Sequence, residues 1–164
     1  MPDADTALCY VGACLFEGLN LNEGRGTDTP FQIFGAPWLD AEKLLQEIAP
    51  EFLAGTRLTT TEYTPRSIPG KAASPIYLND SCRGVRITIA DRAAFRPFTL
   101  ACGLIRTIYA LHGSQLEFKD HFDRLAGGPA LREVLRGKQD ISQWLADVEK
   151  DLADYDAARP RLYA

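Results

Sequence analysis

A chain of 164 residues, 46% of them hydrophobic, is long enough to bury one core, and a single domain over 1–164 is expected. Its net charge of −4 offers no basic patch to nucleic acid, and no apolar run approaches the ~20 residues needed to cross a bilayer as a helix. Cys9, Cys14, Cys82 and Cys102 show no C-x-x-C pair and no metal-ligand spacing. Neither a metal nor any other cofactor is expected, and each cysteine reads as a buried thiol. Met1 is not followed by a charged and then apolar leader.

In chain order, Ala7 to Val11 reads as a short apolar strand running into a glycine-rich loop. Asp40 can cap a helix in which Leu44, Leu45 and Ile48 share a face, and Pro50 marks its end. Arg57 to Tyr63 is Thr-rich and β-prone. Val85, Ile87 and Ile89 alternate with Arg86 and Thr88, the period of a half-buried strand. Asp91-Arg92 beyond it reads as turn chemistry with a local ion pair. Pro97 suits the first turn of a helix reaching about Leu111, stopped by Gly113 and apolar on most faces. Pro129 opens a short helix that Gly137 closes. Asp140 with Gln143 resembles a capping box, after which Ile141, Trp144, Leu145, Val148, Leu152 and Tyr155 recur at helical spacing, a pattern read as core. The fold class is α+β, a small mixed sheet packed with several helices and a helical C-terminal third.

The loop Cys14-Leu15-Phe16-Glu17-Gly18-Leu19-Asn20-Leu21-Asn22-Glu23-Gly24-Arg25-Gly26-Thr27 concentrates acid, amide and cation side chains among three glycines. Such a stretch is neither ordinary helix nor strand, and polar binding sites are commonly built on loops of this kind. It lacks the Lys and the strand–helix setting of a phosphate-binding loop. His112, at a helix end, is accounted for by the helix dipole, and His121 has no metal-like spacing.

The run Cys14 to Thr27, with Pro30-Phe31 and Gly35-Ala36-Pro37-Trp38, resembles the C-terminal half of the NamZ (YbbC-like) family of exo-β-N-acetylmuramidases. Cys82-Arg83-Gly84-Val85, Asp91-Arg92, Phe95-Arg96-Pro97 and Phe122-Asp123-Arg124-Leu125-Ala126-Gly127 continue the resemblance in order. Departures from the family pattern are Leu19 where Thr is usual, Asn22 where Ser is common, and Asp28-Thr29 where Thr-Arg is common. By that resemblance, the last implies the loss of one contact to an anionic sugar. Members pair such a half with a Rossmann-like N-terminal half, which this chain is expected to lack and to meet in cis or in trans.

The resemblance implies removal of terminal N-acetylmuramic acid from peptidoglycan fragments, in the periplasm or outside the cell. Cys14 and Cys82 both fall in family-like motifs, so an oxidising compartment admits a link between them. Glycoside hydrolysis needs a carboxylic acid and a carboxylate, and Glu17 and Glu23 are the catalytic candidates. Their six-residue separation admits both the retaining and the inverting gap. Phe16 beside Glu17 is expected to raise its carboxyl pKa, suiting an acid, while Arg25 is expected to keep Glu23 ionised. Arg25 is the candidate anchor for the lactyl carboxylate, or else an internal partner of either glutamate. Asn20 and Thr27 are candidate sugar contacts, with a turn role as the alternative. Two functions follow: half of a glycosidase, or a non-catalytic muropeptide-binding module. An exposed apolar face would point to a missing partner surface.

Overall fold

A capping carboxylate organises the N-terminus. In the computed structural model, which describes residues 2–159, Asp3 is extended and its Oδ1 accepts from the Thr6 amide at 2.6 Å. That cap opens helix α1 (Ala4–Ala13), so the strand expected over Ala7 to Val11 is a helix instead. A five-residue apolar run has no periodicity of its own to separate the two. Over the longer segment the buried positions Thr6, Cys9, Gly12 and Ala13 recur at helical spacing. α1 lies across α3 (Pro97–His112) so closely that a Cβ on Gly12 would stand 2.0 Å from the Pro97 carbonyl oxygen.

Strands β1 (Ile33–Ala36), β2 (Thr56–Tyr63) and β3 (Cys82–Ile89) form one sheet in the order β1-β3-β2. Val85 of β3 faces Phe34 on one side and Thr60 on the other. Both ladders are antiparallel, so the small sheet is not mixed. A parallel neighbour would need a long crossover, usually a helix, whereas β2 returns to β3 through residues 64–81 without one. Val85 and Ile87 are buried and Thr88 is exposed, as the alternation required.

Asp40 caps α2 (Ala41–Glu47), accepting from the Lys43 amide at 3.0 Å, and Leu44 is its buried anchor. α3 starts at Pro97, ends before Gly113 and buries Leu100 through Ile105 and Ile108, which accounts for its apolar sequence. Phe16, Phe34, Leu44, Leu104, Ile105 and Phe122 meet in one core around it. Each contributes about 1.5–3 kcal/mol by burial.

The C-terminal third is helical: α4 (Phe122–Leu125), α5 (Ala130–Leu135) and α6 (Ile141–Ala158). Asp140 accepts from the Gln143 amide at 2.7 Å, but the Gln143 side chain turns to Asp147, so half of the capping box forms. The stripe on α6 is core only at its start. Leu145 is buried, whereas Leu152 and Tyr155 are 58% and 63% exposed. The 18-residue α6 outruns the six-residue α5 on which it packs, leaving its second half little to bury against among the described residues. All four cysteines are free, with Cys14 half-buried and the others buried, and Cys14 and Cys82 are not linked.

Candidate active-site cleft

The loop after α1 is a rigid platform because its apolar residues are nails. Cys14–Gly18 makes one 3₁₀ turn, and Leu15, Phe16, Leu19 and Leu21 are buried in the core. Gly24 and Gly26, at φ 81° and 86°, occupy a region that L side chains avoid and turn the chain around Arg25. Asn22 fixes the turn from inside. Its Nδ2 donates to the carbonyl oxygens of Arg25 (3.1 Å) and Ile76 (3.0 Å), and its Oδ1 accepts from Gly24 N (2.8 Å) and from the Tyr63 hydroxyl (3.0 Å). Every hydrogen-bonding position of this fully buried amide is used.

Glu17, Glu23 and Arg25 come together on one wall of an open cleft of roughly 670 Å³. The strap 64–81, tied down by Arg66 N to Gly26 O at 2.9 Å, adds Lys71 to Ile76 to the lining, and Lys119 and His121 join it. Arg25 Nη2 meets Glu17 Oε1 at 3.1 Å and Nε meets Glu23 Oε1 at 3.4 Å. The contacts and the width of one guanidinium fork place the two oxygens no more than about 9 Å apart. The retaining gap of about 5 Å and most of the inverting range of about 6.5–9.5 Å lie inside that limit. The guanidinium also lies 5.2 Å from the centre of the Phe31 ring and remains 43% exposed toward solvent.

The environments of the two carboxylates are the reverse of the expectation. Phe16 turns into the core, 1% exposed, while the Glu17 side chain stays 22% exposed and paired to Arg25. Glu23 is the buried one. Desolvation raises its carboxyl above the usual range, against the lowering effects of a backbone hydrogen bond and of Arg25. Arg25 contacts Glu23 but does not outweigh that burial.

Asn20 and Thr27 do not face the cleft as free groups. Asn20 Nδ2 donates to Gln115 O at 2.8 Å and its Oδ1 accepts from Glu117 N at 2.9 Å, bracing the 115–118 segment. Thr27 Oγ1 donates to Gly24 O at 2.6 Å and accepts from Thr29 N, a turn role. Lys119, His121 and Lys71 were not among the candidates. Lys119 Nζ and His121 Nε2 both reach the Glu17 carbonyl oxygen, at 3.2 and 3.0 Å. A carbonyl only accepts, so Nε2 of His121 carries the proton. The one sequence signal was the position of His121 beside the Phe122-Asp123 motif. His112 does more than meet a helix dipole: its Nε2 accepts from Asp40 N at 3.4 Å and its ring packs on Trp38. Arg92 pairs with Asp5 rather than Asp91, which instead caps its own turn through Ala93 N.

A second depression of similar size, roughly 630 Å³, lies between α2 and β2, lined by Asp40, Glu42, Thr60, Glu62 and Arg83. It holds no buried charge. Among the described residues no group of three or more His, Cys, Asp or Glu is placed to hold a metal ion, and no helix is long and apolar enough to cross a membrane.

The sequence model of the family described as "Exo-beta-N-acetylmuramidase NamZ, C-terminal" matches residues 8–164. The chain belongs to the NamZ C-terminal family. Over 163 residues it is 27% identical to the peptidoglycan beta-N-acetylmuramidase NamZ of Bacillus subtilis (strain 168), covering 98% of this chain and 38% of that protein. Two DUF1343 family proteins of Bacteroides fragilis share this chain's fold. One superposes with a TM-score of 0.67 at 26% identity over 94% of this chain and 39% of its own. The other gives 0.65 at 21% identity, over 77% and 33%. The chain therefore spans well under half the length of each of these relatives.

Proposed function

We propose that this domain forms one wall of the N-acetylmuramic acid site of an exo-β-N-acetylmuramidase acting on peptidoglycan fragments, in the periplasm or outside the cell. The observation that carries the reading is Arg25, held in place by two glutamates and an aromatic ring yet open to a cleft it shares with Lys71 and Lys119. A fixed guanidinium with cations nearby suits a lactyl carboxylate, which it grips with parallel hydrogen bonds. Glu23, kept protonated to higher pH by its burial, suits the donor of a proton to the departing sugar oxygen. Glu17, half-buried at the cleft and paired with Arg25, suits the carboxylate role. A Rossmann-like N-terminal domain, in cis or in trans, covers the open side of the cleft.

One observation favours the non-catalytic alternative: a single guanidinium already engages both carboxylates, as in a binding scaffold. Titration with N-acetylmuramic acid and turnover of a chromogenic muramide separate the two. Saturable binding to the 164-residue chain, weakened about ten- to hundredfold in Arg25→Ala, supports the site. Turnover on adding the N-terminal domain, lost in Glu23→Gln or Glu17→Gln, establishes the glycosidase. Binding without turnover in either setting leaves the muropeptide-binding module, and no binding refutes both.

A further inference from the structure

The outward side of α1 has the wrong chemistry for a solvated helix. Ala4, Ala7 and Val11 recur on it at three- and four-residue spacing; Ala4 and Ala7 are exposed, Val11 is 57% exposed and its neighbour Tyr10 38%. No charged residue occurs between Asp5 and Glu17. A surface helix ordinarily turns charged and polar residues outward. Exposed Leu152 and Tyr155 on α6 differ, since they sit among Lys150, Asp151, Asp154 and Asp156.

We infer that this face of α1 is the docking surface for the N-terminal domain of a NamZ-type protein. The matched family is described as the C-terminal one and the match covers 38% of the B. subtilis relative, so the larger part of that relative precedes the segment corresponding to α1. The face is also continuous with the cleft. α1 runs straight into the turn bearing Glu17, and Tyr10 packs edge-on to Phe31 with ring centres 4.9 Å apart. Phe31 in turn supports Arg25 and is held at φ 65°, an uncommon conformation for a bulky residue that its neighbours must enforce.

Size decides how far the docked domain must reach. A ten-residue helix is about 15 Å long and offers roughly 150–200 Å² on one side. Interdomain interfaces cover about 600–1,500 Å². The partner therefore extends past α1, and the cleft rim at Glu17 is the polar surface it meets there.

The inference rests on the two-part reading of the enzyme, but its test reads association alone. The 164-residue chain is mixed with the separately produced N-terminal part of the B. subtilis relative and followed by sedimentation velocity. A one-to-one complex is expected. Val11→Glu and Ala7→Glu should weaken it at least about tenfold, by placing a charge in an apolar contact, while circular dichroism stays unchanged. Leu152→Glu should leave it intact. Failure to associate, loss through Leu152→Glu instead, or self-association of the chain broken by Val11→Glu would each overturn the docking surface. Loss of N-acetylmuramic acid binding with the complex intact counts against the sugar site and leaves the docking surface standing. Binding of the sugar with no complex does the reverse.

Discussion

Replacing Asn22 by Ala removes one buried amide and strands three of the four groups around it. The Arg25 and Ile76 carbonyls lose their donor and the Gly24 amide its acceptor, whereas the Tyr63 hydroxyl keeps a second partner in the Asn22 backbone oxygen at 3.0 Å. Three groups left without protein partners, at about 1–3 kcal/mol each and with some relief from entering water, give a loss of about 3–5 kcal/mol. A domain of this kind has only about 5–15 kcal/mol to lose. At a urea slope of about 2 kcal/mol per molar, the unfolding midpoint falls by about 2 M with the slope unchanged. Asn20→Ala is the control: its two hydrogen bonds are at half-exposed positions and water replaces them, so its shift should be less than half as large. Equal shifts for the two variants, or an Asn22→Ala shift below about 0.5 M, would refute the claim that this amide locks the platform.

Three further outcomes follow from the same geometry. Burial raises the Glu23 carboxyl in the folded state above its unfolded value, so the folded state binds the extra proton, and stability falls as pH rises from the ordinary glutamate range through the folded value. Urea midpoints measured from pH 4 to 8 should show the wild type losing stability relative to Glu23→Gln; parallel profiles would contradict that assignment. Gly12→Ala should cost about 3 kcal/mol, read as about 10 °C in thermal unfolding, because the new methyl meets the rigid Pro97 carbonyl; a shift within about 2 °C would show that α1 and α3 can part freely. Burial pushes the Cys9 and Cys102 thiols up to about 12 and Cys82 up to about 11, so in the native protein an aromatic disulfide reagent at pH 8 should label Cys14 first. Rapid labelling of two or more thiols would mean the core opens.

What the sequence disclosed was mostly local. Asp40, Pro97, Gly113 and Asp140 marked helix ends correctly because capping and proline geometry act within one turn of the chain. Val85 and Ile87 disclosed β3 because alternation is a property of the strand itself. Ala7 to Val11 misled because its decisive signal, the Asp3 cap, lies outside the apolar run. Leu152 and Tyr155 misled because helical spacing says which residues share a face and not whether anything covers it. At the site, Glu17, Glu23 and Arg25 were close enough in sequence to be grouped. Which glutamate is buried depended on where Phe16 points, and Lys71 and Lys119 enter the cleft from segments distant in sequence. Asn20 and Thr27 showed only that a polar atom was available, and backbone groups elsewhere claimed it.

The strap between β2 and β3 also shapes how the domain folds. Antiparallel neighbours can be joined by two residues, yet here the connection runs from 64 to 81. Closing that longer loop costs about 2 kcal/mol more than a tight hairpin, since each doubling of length adds about 0.6 kcal/mol. The sheet would be easier to nucleate without it, but the wall bearing Lys71 and the Ile76 carbonyl that Asn22 binds would be gone. Trimming the strap to a short turn should therefore give a faster-folding sheet with an empty notch where the cleft stood, a trade of folding speed against the capacity to enclose a ligand.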